Sequence, residues 1–230
     1  MPDDLQTSTS QAGGASAWRR LNQRLPLVKS ELKLGGQSLF IPELKDPLAY
    51  IESRPAGELP YWTKVWPAAL VLAGLAASLP AGDDRPILEL GAGLGLPGLV
   101  AAARGRRVIL SDLDPDALDF ARAAVEINGL EERVQVRALD WTAPPDDLTG
   151  FATVLGAEIL YQPALYPGLV SLLERLLAPG GTAYISHEER PFAIGFFKLA
   201  QERFQIRATQ RSVAGEDGPT QVILYALKKI

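Results

Sequence analysis

Short apolar blocks ending in glycine, asparagine or aspartate alternate along the chain with longer stretches whose apolar residues recur at helical spacing. Strands are predicted over 85–90, 108–111, 134–138, 151–156 and 182–186, and helices over 67–79, 97–104, 115–128, 163–177 and 191–202. Proline stands near the start of several of these helices, where its fixed φ suits the first turn, and Asn128-Gly129 supplies a left-handed stop. Two further extended runs, 204–211 and 221–228, flank the turn Gly215-Glu216-Asp217-Gly218-Pro219 and read as an antiparallel hairpin. A strand at 38–41, after Gly35-Gly36, belongs to a small N-terminal hairpin. Repeated strand-helix-strand units require a parallel sheet with right-handed crossovers. The expected fold class is therefore α/β, a doubly wound seven-strand sheet, mostly parallel, with a C-terminal antiparallel hairpin at its edge and a small N-terminal β extension.

Composition narrows this to one sizeable domain. The 230 residues are 47% hydrophobic, enough for a single large core, and no internal repeat divides them. Three stretches are expected: a disordered polar tail over 1–17, an N-terminal extension over 18–60 and the main domain over 61–230. Twenty-three basic residues against 27 acidic ones give a net charge of −4, which argues against a broad basic face for nucleic acid. With no cysteine and one histidine, disulfides, thiolate nucleophiles and cysteine-based zinc sites are excluded, and no metal site is expected. The start of the chain resembles neither a signal nor a transit peptide, and the longest apolar stretch, 67–80, is too short to span a bilayer. A cytoplasmic monomer without membrane contact is the expectation.

The chemistry concentrates in ILELGAGLGLPGL at 87–99 and VILSDLDPDAL at 108–118. The first is a strand, a turn through Gly91, Ala92, Gly93 and Gly95, and the start of a helix; these glycines let the backbone turn tightly and approach a ligand. Asp112 closes the next strand about twenty residues on, where a carboxylate can accept both hydroxyl protons of a ribose. An adenosine-bearing cofactor follows. The spelling Gly93-Leu94-Gly95-Leu96-Pro97-Gly98 also satisfies the dinucleotide pattern G-x-G-x-x-G, which keeps an NAD-dependent oxidoreductase in view. Against it, Glu89 sits two residues before Gly91, no earlier strand opens a dinucleotide domain, and Pro97 removes an N–H that a pyrophosphate would use.

Ligands of open α/β sheets lie beyond the carboxyl ends of the strands, and polar or aromatic residues stand at four such places. Asp140 can accept from an adenine amino group while the Trp141 ring packs on the base, or Trp141 caps the sheet. Gly156 and Ala157 leave room for a cofactor, with Glu158 and Tyr161 flanking the transferred group. His187, Glu188, Glu189 and Arg190 offer substrate contacts or a solvated charge run. Trp62 and Trp66, before the 67–79 helix, close a lid over a cofactor or pack into the core.

The combination of V-W-P-A-A-L-V-L at 65–72, E-L-G-A-G at 89–93, L-D-W at 139–141 and E-x-x-Y at 158–161 resembles the family-16 methyltransferases, many of which methylate protein lysines while bacterial relatives are often labelled nicotinamide N-methyltransferase-like. The glycine turn is similar to motif I of the seven-strand, Rossmann-like S-adenosylmethionine methyltransferases. The resemblance covers the chain from about residue 35 onward. It implies an S-adenosyl-L-methionine site formed by Trp66, Glu89, Gly91, Ala92, Gly93, Gly95, Asp112, Asp140, Trp141, Ala157 and Tyr161. Glu158 and Tyr161 would be the catalytic pair, with Glu158, which stands where the family usually has Asp, facing the acceptor. The implied activity is N-methylation, most directly of a protein lysine. A small-molecule N-methyltransferase and a cofactor-binding module without catalysis remain open alternatives.

Overall fold

In the computed structural model, residues 16–34, 36–55, 59–80, 85–189, 193–215 and 218–230 are described. The chain opens with helix α1 (Ala17–Arg24) and an antiparallel hairpin of β1 (Leu27–Leu34) and β2 (Gln37–Leu44), then α2 (Pro47–Glu52) and α3 (Pro67–Ser78). The main domain alternates β3 (Ile87–Leu90), α4 (Leu96–Ala103), β4 (Val108–Asp112), α5 (Pro115–Ile127), β5 (Val134–Ala138), β6 (Phe151–Ala157), α6 (Tyr166–Leu176), β7 (Leu177–Glu188) and α7 (Ile194–Ala200). It closes with β8 (Phe204–Gly215) and β9 (Gly218–Lys229).

The seven main strands run in the order β5-β4-β3-β6-β7-β9-β8. The first five are parallel, and β9 lies antiparallel between β7 and β8, as the alternation and the closing hairpin lead one to expect. The strand order reverses between β3 and β6, where Leu90, the last residue of β3, pairs with Gly156. A ligand crevice opens beyond the carboxyl ends of strands at such a reversal.

Successive residues of a strand point to opposite faces, and both faces here are covered. Ile87 and Leu110 face the apolar layer that includes Leu72, Leu99 and Phe120, while Leu88 and Leu90 face the one with Leu173 and Phe196. Burying each of these side chains contributes about 1.5–3 kcal/mol. The N-terminal extension shares the first layer through Leu21, Leu39 and Ile41. It is further tied to α5: Glu126 accepts from the first N–H groups of α1 at 2.5 and 3.3 Å, and the Asn128 amide exchanges hydrogen bonds with the Phe40 backbone at 2.8 and 2.7 Å.

Some element bounds differ from expectation for physical reasons. The 163–177 helix begins as a 3₁₀ turn, Pro163–Leu165, before α6 proper. The 182–186 strand extends back to Leu177 across Gly180, at φ 72°, with a register shift opposite Phe151 and Thr153. Of the expected 191–202 helix, the described residues form α7, Ile194–Ala200, while Arg190, Pro191 and Phe192 lie outside the described residues.

Candidate active site

Gly91, Gly93 and Gly95 all have positive φ, at 57°, 52° and 74°, a region costly for residues with a Cβ. The places their side chains would take are bordered by other residues of the chain. A Cβ on Gly91 would stand 3.2 Å from Ile159 and 3.4 Å from the Trp141 ring, one on Gly93 3.2 Å from the Trp62 Cβ, and one on Gly95 2.8 Å from Leu110. Gly156 likewise accommodates Ile159, whose Cδ1 would be 2.5 Å from an added Cβ.

Glu89 lies beneath this turn, 1% exposed, and its Oε2 accepts the Gly98 N–H at 2.7 Å. Burial, with Asp112 adding to it against the Gly98 hydrogen bond, pushes its carboxyl up to about 8. Glu89 thus supports the turn from below rather than lining its surface. It also takes up one N–H of the first turn of α4, where a pyrophosphate would bind, which counts against the dinucleotide reading.

Asp112 ends β4 facing the turn. Its Oδ2 accepts the Gly93 N–H at 2.9 Å and its Oδ1 the Asp114 N–H at 3.0 Å; burial raises its pKa against the pull of these hydrogen bonds. Each carboxylate oxygen can accept a second hydrogen bond, so the pair suits the two hydroxyls of a ribose. Asp140 is exposed, its Oδ1 accepting Thr142 N–H and Oγ1–H at 2.8 and 2.7 Å, which hold its carboxyl below the usual range. Next to it Trp141, half-buried on Gly91 and Ile159, borders a cleft of about 480 Å³ that continues along α6 past Leu165, Gly168 and Leu172.

Across the reversal, Ala157 ends β6 and is followed by Glu158 at φ 54°, the one positive φ outside glycine among the described residues. Its N–H donates to Ser186 O at 2.8 Å, and its Oε1 accepts the Glu188 N–H at 2.7 Å. Tyr166 Oη–H donates to Leu160 O at 2.8 Å and pins the rest of the loop. Tyr161 is 45% exposed; burial of its phenol, with the nearby charge of Asp112, raises its pKa. Its ring lies 5.7 Å from that of Tyr61, and Tyr61 O accepts the Trp66 Nε1–H at 2.6 Å. Trp66 is half-buried, with Lys64 Nζ 3.9 Å from its ring centroid. Ser186 Oγ–H donates to Ala68 O at 2.9 Å, joining the start of α3 to the Glu158 turn.

The structure therefore brings Gly91, Ala92, Gly93, Asp112, Trp141, Ala157, Glu158 and Tyr161 to one end of the sheet. His187 is not at this opening. It is 3% exposed and stacks on Tyr225 and Phe197, at 5.3 and 6.0 Å, because β7 alternates and turns this residue toward α7. Of the two alternatives open for the tryptophans, Trp62 takes the core one: it is buried against Phe120, its Nε1–H donating to Asp114 at 2.9 Å. Tyr61, Asp114 and Arg54 were not singled out by the sequence reading, since their partners are distant in the chain.

The pattern of the lysine methyltransferase family matches residues 58–208. The chain is 34% identical over 154 residues to EEF1A lysine methyltransferase 3 of Mus musculus, spanning 64% of this chain and 66% of that one. It is 39% identical over 119 residues to the protein N-lysine methyltransferase METTL21A of Danio rerio, spanning 49% and 54%, and 34% identical over 131 residues to the histone-arginine methyltransferase METTL23 of Mus musculus, spanning 51% and 48%. It thus covers about half to two thirds of the length of these relatives. Among solved structures it is similar in fold to a predicted O-methyltransferase from Agrobacterium tumefaciens, with a TM-score of 0.55 and 22% identity over 70% of this chain and 80% of that one. A geranyl diphosphate C-methyltransferase from Streptomyces coelicolor, solved with S-adenosyl-L-homocysteine, aligns with a TM-score of 0.56 and 18% identity over 70% and 79%. With more than half of its residues matched by the family pattern, the chain belongs to the lysine methyltransferase family.

Proposed function

We propose that the protein is an S-adenosylmethionine-dependent protein N-methyltransferase whose acceptor is a lysine amine. The observation that carries the reading is one carboxylate on either side of the strand reversal: Asp112, anchored to the glycine turn and near enough to Tyr161 for its charge to act on the phenol, and Glu158, held at a positive φ with its Oε1 on the Glu188 N–H. Asp112, the Gly91–Gly93 backbone, Trp141 and Ala157 would hold the cofactor: the carboxylate fits ribose hydroxyls and the half-buried indole fits the base. Family membership, lysine-methylating relatives and the methyltransferase fold of the structural neighbours support this assignment.

A lysine amine attacks only when neutral, and removing its proton near pH 7.4 costs about 4 kcal/mol from its reference pKa of about 10.4. When bound, S-adenosylmethionine supplies an electrophilic methyl group on a positively charged sulfur, which also lowers the pKa of an adjacent amine. Glu158 orients the incoming ammonium, with its Oε1 fixed by the Glu188 N–H. Tyr61 and Tyr161 offer ring faces to a cation at the exposed mouth. Positioning of this kind contributes roughly 7–11 kcal/mol to bimolecular transfer, so the residues need supply no strong base.

The test is transfer of labelled methyl from S-adenosylmethionine into lysate of cells lacking the protein. Label in one acid-precipitable band, recovered as methyl-lysine after hydrolysis, is the expected result. Methyl-arginine in that band would favour the arginine reading, which the histone-arginine relative suggests. Label confined to soluble metabolites would replace both with a small-molecule acceptor. Full turnover by both Glu158→Ala and Tyr161→Phe would remove the roles assigned to that loop.

A further inference from the structure

The corner between β4 and α5 is enclosed by the N-terminal part of the chain rather than by the sheet. Asp114 caps α5, its Oδ1 accepting the Asp116 and Ala117 N–H groups at 2.8 and 3.4 Å. Its Oδ2 accepts the Trp62 Nε1–H at 2.9 Å and an Arg54 Nη2–H at 3.2 Å. Trp62 is 8% exposed, its ring 4.8 Å from Phe120 and 5.5 Å from Tyr50. Its Cβ lies where Gly93 has no side chain, 3.2 Å from the position a Cβ would take. Asp112 accepts both the Gly93 and the Asp114 N–H groups. The contacts thus close a circuit: Gly93 to Asp112, Asp112 to Asp114, Asp114 to Trp62, and Trp62 back onto Gly93.

Three carboxylates within five residues repel one another, so a corner carrying Asp112, Asp114 and Asp116 needs compensating charge. Arg54 supplies it, with Nη groups 3.2 Å from Asp114 and 3.4 Å from Asp116, and Nη1 donates to Tyr50 Oη at 3.0 Å. Arg24 adds a contact of 2.7 Å to Asp116 and 3.1 Å to Asp119. Neither Trp62 nor Arg54 belongs to the glycine turn or to the E-x-x-Y loop.

We infer that Trp62 and Arg54 are positioning residues for the cofactor, fixing Asp112 against Gly93 through Asp114, so that the N-terminal extension is part of the cofactor site. This rests on the methyltransferase reading above. In Trp62→Phe the Cβ over Gly93 and an aromatic ring beside Phe120 are kept, but Asp114 loses a donor. A hydrogen bond to a charged group is strong enough for its loss to weaken binding about tenfold.

The test is calorimetric titration of S-adenosylhomocysteine into the full chain and its variants, well below their melting temperatures. Trp62→Phe is expected to bind about tenfold more weakly. Arg54→Met should show a similar loss and Arg54→Lys a smaller one. Asp114→Asn, whose amide oxygen can still cap α5, reads the same circuit should Trp62→Phe fail to fold. Because Trp62 acts through Asp114, the double variant should bind no more weakly than the weaker single. A residue that merely stabilises the fold would lower the melting temperature and leave the dissociation constant at its wild-type value, and that result overturns the inference. Binding by wild type with unchanged binding by Trp62→Phe and Asp114→Asn overturns this inference alone, whereas failure of the wild type to bind overturns it together with the methyltransferase reading.

Discussion

Two turns at neighbouring strand ends solve the same backbone problem in opposite ways. After β3 the chain takes positive φ three times and uses glycine each time, at 91, 93 and 95; after β6 it takes positive φ once and keeps a glutamate, at 158. Where glycine is used, the parts that matter are backbone groups and close approach: the Gly93 N–H meets Asp112, and Trp141, Trp62 and Leu110 come in where side chains would be. Where glutamate is kept, the conformation costs about 1 kcal/mol or more that glycine would avoid. The Ser186 carbonyl and the Glu188 N–H hold it in place. A strained backbone that keeps a carboxylate is what the role proposed for Glu158 requires.

The largest break in this contrast comes from the packing under the first turn. An alanine at Gly98 would put its Cβ 2.3 Å from Leu110 Cδ2, 2.6 Å from Glu89 Oε2 and 2.9 Å from Val108 Cγ1, all on buried side chains of adjacent strands. Gly98→Ala is therefore expected to lose about 3 kcal/mol or more, measured by urea unfolding. If α4 slid to absorb the clash at under 1 kcal/mol, helix and strand would not be as closely fitted as these distances require.

Glu89 gives the next effect. Its folded-state carboxyl, at about 8, lies above the ordinary value of 4.5, so the folded protein holds a proton that the unfolded chain releases between these values. Its contribution is therefore greatest near and below pH 4.5, declines as pH rises, and levels off above about 8. Asp112, also raised, acts with the same sign. Between pH 5.5 and 7.5 the Glu89 part amounts to about 2–3 kcal/mol. Glu89→Gln keeps an acceptor for the Gly98 N–H and cannot ionise, so its unfolding free energy should vary less with pH over this interval and exceed wild type's near pH 8. Parallel pH profiles for the two proteins would mean that Glu89 is ionised in the folded state throughout.

How much of this was legible in the sequence follows from the range of the interactions. The β3 to β4 segment was readable because its signals are local: an apolar strand, glycines at positive φ and an acidic strand end lie within about thirty residues. The closing hairpin was readable from its turn, though β8 and β9 extend farther toward that turn than their apolar content suggests. The N-terminal helix and most of β1 were not, because Leu21 is the one fully buried residue in α1 and the β1 sequence LVKSELKL mixes charge with apolar positions. In the site, Asp112 and Glu158 were visible as strand-end acids, whereas the burial of Glu89 and His187 and the reach of Trp62 to Asp114 depend on contacts between distant segments. The left-handed Glu158 carried no sequence signal, since nothing distinguishes a strained glutamate from a relaxed one in the letters E-I-L-Y.

Removing the Glu158 carboxylate tests the second turn directly. Turnover of Glu158→Ala on the acceptor found by labelling should fall about a hundredfold, because alignment of the amine is lost, with cofactor affinity near wild type. A loss confined to cofactor affinity would instead place Glu158 with the first turn.

The smallest effect is the sharpest on the comparison. At an ordinary position alanine is the more stable choice, since glycine leaves the unfolded chain more freedom to lose. At 158 the order should reverse: both substitutions lose the bond to the Glu188 N–H, but only alanine keeps a Cβ at φ 54°. Glu158→Gly is therefore expected to unfold about 1 kcal/mol harder than Glu158→Ala. In Glu158→Gly, relief of strain offsets part of the lost hydrogen bond, leaving it within about 1 kcal/mol of wild type. Both variants should lose turnover alike, separating the backbone cost from the chemistry. Should alanine prove as stable as glycine, the turn after β6 would relax when the carboxylate is removed, and its left-handed form would be imposed by the side chain's own hydrogen bonds rather than by the path of the chain.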